Sequence, residues 1–296
     1  LPAADIEPEG EISLPLSSRE RGLVGEVWRR LPLSSAAMGW QLAHTEALLA
    51  GLAAGGPPTI RWYRPTRTAL VLGRSQAATL ADLAAARATG VAVYGRTSGG
   101  GAVLINRDAL SLDVALPTGH PLALTDVTRA YQWIGEVWAQ ALRQLDIADV
   151  RALSTEEVRA LPAPPPGDPL RLACYGTLSP WEVVAGQRKV VGLSQVRRRP
   201  GVLYPIGVHL RWQPERLTAL LALPPTTRPA LAAALCQAAA GLDELAGHPI
   251  SAARVIAAVE AALVARLGIT LVPGAWTVEE QTVARRLQRE QFQPLG

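Results

Sequence analysis

The stretch from Trp181 to Trp212 constrains the fold more than any other part of the chain. Apolar runs at 181–185, 188–197 and 202–212 are separated only by turns at Gly186-Gln187 and Pro200-Gly201. Connections this short join antiparallel neighbours, because a parallel crossover needs a dozen or more residues. The spacing therefore predicts three successive antiparallel strands. Elsewhere the apolar residues recur at helical spacing, over 35–52, 79–88, 125–145, 229–245, 251–267 and 277–289. Strands are predicted at 59–64, 69–73, 91–94, 102–105 and 109–116. The fold class expected is α+β, a mainly antiparallel sheet packed with helices.

Local signals place the boundaries. Gly55-Gly56-Pro57-Pro58 ends the first helix, Thr79 is a candidate cap and Gly90 a stop. Thr277 with Glu280 fits a capping box. A Pro-Pro-Pro-Gly loop lies within 161–169. Residues 1–30 show no sustained period and read as a weakly ordered lead-in. Residues 31–225 form the expected main domain, and 226–296 a helical C-terminal extension packed on it.

The length of 296 residues and an apolar share of 49% allow a sizeable core and exclude bulk disorder. No apolar run reaches the roughly 18 residues of a membrane span, and no basic-then-apolar leader is read. Cytoplasmic residence with no membrane partner is the expectation. A net charge of +4 is not the footprint of a nucleic-acid binder. Of 29 basic residues, 28 are Arg and one is Lys, at Lys189. Arg serves most surface roles, so a lone Lys is either a chance leftover or a group placed for its compact charge. The four His and two Cys lack metal-ligand spacing, so no metal is expected. His44-Thr45-Glu46 reads as ordinary helix surface or core, and Trp133 and Trp138 as core. Arg197-Arg198-Arg199 reads as a solvated hairpin end, or as a steering patch for an acidic partner.

Two segments carry candidate chemistry. Ser98-Gly99-Gly100-Gly101-Ala102 lies between two predicted strands, and successive Gly let the backbone pass close to a ligand. A flexible hairpin turn is the plain alternative. The run is neither a dinucleotide fingerprint nor a P-loop, since the required following residues are missing. Cys174 lies between the Pro-rich loop and the hairpin that holds Lys189. A Cys beside a cation is held as thiolate and can exchange one thioester for another without ATP. The cation would also stabilise charge on the carbonyl oxygen. A buried inert Cys is the alternative. Cys236 lies in an Ala/Leu helix pattern and reads as a small apolar residue.

The string Arg96-Thr97-Ser98-Gly99-Gly100-Gly101-Ala102-Val103-Leu104 resembles the glycine-rich signature of the lipoate–protein ligase and octanoyltransferase family. The likeness continues in Pro58–Tyr63 and in Ala69–Gln76. It extends to the hairpin Trp181–Arg197, with its Gly186-Gln187-Arg188-Lys189 and Gly192-Leu193-Ser194-Gln195, and to Trp276–Glu280. Cys174 followed by an aromatic residue, with Trp181-Glu182 and the Lys hairpin downstream, resembles the cysteine-bearing octanoyltransferase branch.

The resemblance implies a biotin/lipoate ligase-like catalytic domain. It implies octanoyl transfer from acyl carrier protein, through a thioester on Cys174, to a lysine of a lipoyl domain or H protein. Lys189 becomes the carbonyl-orienting cation. Gly99, Gly100, Gly101 and Ala102 become the wall of an acyl tunnel, with Arg96, Ser98, Gly192, Ser194 and Gln195 as further substrate-binding residues. No cofactor is implied. Transfer of an octanoyl amide between lipoyl domains fits the same residues. An ATP-dependent lipoate ligase, needing ATP and Mg, is the alternative, and a non-catalytic acyl- or lipoyl-domain-binding relative is another. The chain departs from the family pattern at Gly95, at Ser111-Leu112-Asp113 and at Tyr204-Pro205-Ile206-Gly207. His209, two residues beyond Gly207, shares its face by strand alternation. It reads either as a shifted substitute or as a plain strand His.

Overall fold

The computed structural model describes residues 22–296. Residues 1–21 of the expected lead-in lie outside them. The rest of that lead-in is not a loose arm. Leu23 and Trp28 are buried, and a strand β1 (Val27–Ala36) is under way before residue 30.

Two sheets form the frame. The larger contains β1, β2 (Thr59–Pro65), β6 (Ala109–Pro117), β7 (Val150–Ala152), β8 (Val183–Ala185), β9 (Arg188–Leu193), β10 (Val196–Arg198), β11 (Gly201–His209) and β12 (Thr270–Pro273). Their order is β12-β1-β2-β6-β11-β9-β8-β7, with β10 on β11. The smaller sheet is β4-β3-β5, from Ala92–Gly95, Ala69–Leu72 and Val103–Ile105. Among the named strands of the described residues, only β1 with β2, β1 with β12, and β3 with β4 pair in parallel. The α+β class with a mainly antiparallel sheet therefore holds.

The expected central strand 188–197 is two strands. Pro205 of β11 has no N–H to give, and the Ser194 N–H and hydroxyl both donate to its carbonyl, at 3.0 and 2.9 Å. The ladder is interrupted there, and β10 resumes opposite Leu203. The expected helix at 79–88 also divides, into a 3-10 turn (Ala78–Leu80) and helix α2 (Leu83–Ala88). Asp82, not Thr79, caps α2 by accepting from the Ala85 N–H.

Alternation along β6 sorts the layers. Leu110, Leu112, Val114 and Leu116 enter the main core with Trp133, Trp138, Val255 and Val259. The last four come from helices α3 (Gln132–Arg143) and α8 (Ala252–Leu267). Ala115, on the other face, packs under Leu48, Leu49 and Leu52 of helix α1 (Met38–Ala53). Buried residues lie all round α1, as expected for a helix packed on every side.

Between β7 and β8 runs a short helix α4 (Thr155–Ala160), with a Ser154–Glu157 capping box. Past β11 come α5 (Pro214–Thr218), α6 (Arg228–Ala238), α7 (Leu242–Ala246), α8 and α9 (Val278–Glu290). The tail is not purely helical, since β12 extends the larger sheet beside β1. The Thr277–Glu280 capping box is present. The Glu280 carboxylate, fully buried, pairs with Arg29 of β1 and docks α9 on the frame.

Candidate functional site

Register builds the floor. Gly192 of β9 faces Gly207 of β11, which faces Ser111 of β6, which faces Tyr63 of β2. Two glycines in this cross-strand row leave room for the Tyr175 ring. A Cβ at Gly192 would lie 3.7 Å from the ring, and one at Gly207 3.8 Å from the hydroxyl, so anything beyond a methyl would displace it. The Tyr175 hydroxyl donates to the Gly207 carbonyl at 2.7 Å.

That ring anchors its neighbour Cys174, and two further clamps hold the same turn. Ala102 and Ala173 form a β-bridge, with Ala102 N–H donating to Leu172 O at 2.7 Å and Cys174 N–H to Ala102 O at 2.9 Å. The Lys189 ammonium then donates to Cys174 O at 2.8 Å and Thr177 O at 3.1 Å, and pairs with Glu182 at 2.7 Å. Glu182 also accepts from the N–H groups of Ser179 and Leu193. Lys189 is only 2% exposed. The lone Lys is thus a fully bonded buried cation, and it grips the cysteine turn through main-chain carbonyls.

The glycine run closes over the thiol. Gly100 has φ +95°, a conformation that L side chains rarely adopt. A Cβ there would lie 2.9 Å from Arg96 Nη2 and 3.9 Å from Cys174 Sγ. At Gly101 it would meet Ala173 C at 2.5 Å and Cys174 N at 2.6 Å. Arg96 shapes the loop, donating to Gly99 O at 2.8 Å and Gly101 O at 2.9 Å.

Cys174, Lys189, Arg96, Ser98, Gly99, Gly100, Gly101, Gly192, Ser194 and Gln195 all line one cavity of about 440 Å³. Ala102 does not line it: fully buried, it is the strand residue that holds the Cys174 turn. Ser98 is buried with its hydroxyl unpartnered. Gln195 spans from Arg197 to the Val127 carbonyl. His209 lines the cavity too, edge-on to Tyr175 with ring centroids 4.9 Å apart. Burial pushes its imidazole down to about 4, so it is neutral near pH 7. Cys236 is half-buried on α6, and burial together with Glu215 pushes its thiol up.

Several lining residues were not legible as site residues. Thr45 and Glu46, read as ordinary helix, face the cavity, as do Met38, Tyr63 and Phe292. Glu182 stands in the hairpin motif, where no local signal marks its role. One step along the same face of β2 and β6, Arg61 donates to Asp113 at 2.9 Å, and Thr45 adds a bond to the same carboxylate oxygen at 2.8 Å. Burial raises the Asp113 carboxyl to about 6 against the pull of Arg61. Among the described residues no group of three His, Cys, Asp or Glu could hold a metal, and no helix is long and apolar enough to cross a membrane.

The chain belongs to the lipoyl protein ligase A/B catalytic domain family, whose model matches residues 38–264. Among curated relatives it is 32% identical to the octanoyltransferase LipM of Kyrpidia tusciae, over 88% of this chain and 95% of that protein. It is 28% identical to LipM of Moorella thermoacetica, over 89% and 94%. Among solved structures it resembles a bi-partite lipoate protein ligase from Thermoplasma acidophilum, with TM-score 0.71 and 21% identity over 91% of this chain and 93% of that one. A lipoate-protein ligase A bound with ATP superposes with TM-score 0.69 and 21% identity, over 91% and 96%.

Proposed function

We propose that this chain is an octanoyltransferase that passes its acyl group through Cys174 to a lysine of a lipoyl domain, with an acyl carrier protein thioester as donor. The observation that carries the reading is the half-buried Cys174 thiol, facing Gly100 beside a cavity of ligand-binding size. The names of the curated relatives support the acyl group.

In the first step the Cys174 thiolate attacks the donor carbonyl. A new C–S bond forms, the donor C–S bond breaks, and the departing sulfur takes up the proton that Cys174 gave away. In the second, the acceptor amine attacks the acyl–Cys174 carbonyl. The amide bond forms, and the sulfur leaves with a proton from the amine. Both steps exchange partners on an activated acyl group, so neither consumes ATP.

Lys189 enters this chemistry with its three N–H groups already committed. Thr177 O is its longest contact and the one an acyl oxygen would replace. The ammonium would then carry charge that develops on the carbonyl while still holding the Cys174 turn. His209 is neutral near pH 7 and is not the cation in this scheme.

The test is to incubate the full chain with octanoyl carrier protein and map adducts by mass spectrometry. An octanoyl group on Cys174, absent from Cys174→Ser, is the expected result. Acceptor labelling that needs free octanoate with ATP and Mg would replace this reading with the ligase. Carrier binding without either reaction would make the chain a binding relative.

A further inference from the structure

The sequence holds one phenylalanine and one methionine, and both line the cavity away from its mouth. Around Cys174 the lining is open to solvent: Gly99, Gly100, Val127 and Ser179 are exposed. At the other end Met38, Leu42, Tyr63, Val71 and Phe292 are all buried and belong to one apolar cluster.

The smaller sheet runs between the two ends. Gly101, Val103 and Ile105 alternate onto one side of the chain, and all three line the cavity. At about 3.3 Å per residue, Ile105 lies up to roughly 13 Å from the glycine that touches the Cys174 turn. Val71 is paired with Val103, so this wall stays apolar as it recedes from the thiol.

Phe292 closes it. The residue follows α9, in the last five positions of the chain, and main-chain contacts fix it. Its N–H donates to Leu287 O at 3.0 Å, and three residues later Leu295 N–H donates to Val93 O at 2.7 Å. Its carbonyl sits so close to Gly39 of α1 that any Cβ there would collide with it. The main chain of the residue is therefore fixed on both sides, and its ring packs in the buried cluster with Met38, Tyr63 and Val71.

We infer that Phe292 is the stop that sets the acyl chain length this site accepts. The inference rests on the acyl-transfer reading for its substrate class. A saturated chain offers nothing but length to select on. Each buried methylene favours binding about fourfold, so longer chains win unless something solid stands in their way. Close-packed interiors do not yield to an extra methylene without cost. Removing the ring opens space for methylenes beyond the eighth carbon.

The variants are Phe292→Ala and, should that one not fold, Phe292→Leu, each checked for a cooperative melting transition well above the assay temperature. Octanoyl and dodecanoyl thioesters of the same carrier compete for Cys174, read by intact mass. The expected result is at least a tenfold rise in the dodecanoyl-to-octanoyl ratio for Phe292→Ala, and a smaller rise for Phe292→Leu. Calorimetry of free octanoate and dodecanoate on Cys174→Ser, with and without the Phe292 change, needs no transfer. If wild type takes no acyl group, the transferase reading fails and calorimetry alone decides the stop. Tenfold tighter dodecanoate binding in the Phe292 variant upholds it. Unchanged chain-length preference in folded variants, by either measurement, overturns it.

Discussion

Lys189–Glu182 and Arg61–Asp113 are both withdrawn from water beside the same cavity, and they differ in how completely they are bonded. Lys189 spends its donors on Cys174 O, Thr177 O and Glu182, and Glu182 accepts from two further N–H groups. Arg61 reaches Asp113, Thr45 and Gln41 and lies over the Tyr63 ring, yet its Nε and Asp113 Oδ1 have no hydrogen-bond partner. An unmet buried polar atom costs about 1–3 kcal/mol. The complete pair is the one tied to the cysteine turn. The incomplete pair ties α1 to the floor, a task that apolar packing can also perform.

Removing one partner of the complete pair gives the largest effect. Glu182→Ala leaves Lys189 buried and uncompensated, and the expected loss is about 3–5 kcal/mol in denaturant unfolding. Acylation of Cys174 should vanish with it. In Lys189→Met/Glu182→Leu both charges go, so most stability should return while acylation stays absent. A double variant that still acylates would reduce the pair to scaffolding and erase the contrast.

Acid separates the two regions next. His209, pushed down to about 4, is protonated in the unfolded chain before the folded one. Its contribution is intact above pH 6.5 and is lost as pH falls toward 4, on the order of 3 kcal/mol. Asp113, raised to about 6, works in the opposite sense. The folded state binds its proton first, so this carboxyl adds stability as pH falls from 6 toward 3.8. Melting curves between pH 7 and 4 should therefore fall less steeply for His209→Gln than for wild type, and more steeply for Asp113→Asn. The same slope in all three would mean that neither group titrates as its burial dictates.

Why Arg61–Asp113 was invisible in the sequence while Cys174 and Lys189 stood out follows from range. A glycine run, a cap at Thr277 and a lone Lys in a hairpin are local signals, and a resemblance spread over ordered segments joined them. Arg61 meets Asp113 only through the antiparallel register of β2 and β6, which no local pattern specifies. β12 reaches β1 across more than 240 residues, and its four residues show no apolar alternation. Phe292 reads as a tail residue until Leu295 is seen bonded to β4. The short helix α4 is a different kind of miss. Its Ser154–Glu157 capping box was in the sequence, but six residues are too few to show a helical period.

The smallest expected effect tests the incomplete pair directly. In Arg61→Met/Asp113→Leu both charges and both unmet atoms disappear, and two apolar side chains of similar bulk take their place. The neighbours keep partners: Gln41 still donates to Arg64 O at 3.1 Å, and the Thr45 hydroxyl still donates to Gln41 O at 3.0 Å. Replacing a buried pair by well-packed apolar groups is often neutral or stabilising. The expected variant lies between wild-type stability and about 2 kcal/mol above it, read from denaturant midpoints. It should still take an octanoyl group on Cys174, because none of the three clamps on that turn involves α1 or β2. A loss of several kcal/mol would show that Arg61 and Asp113 are as well compensated as Lys189 and Glu182. Loss of acylation with stability intact would show that the floor beneath Thr45 and Tyr63 takes part in placing the acyl chain.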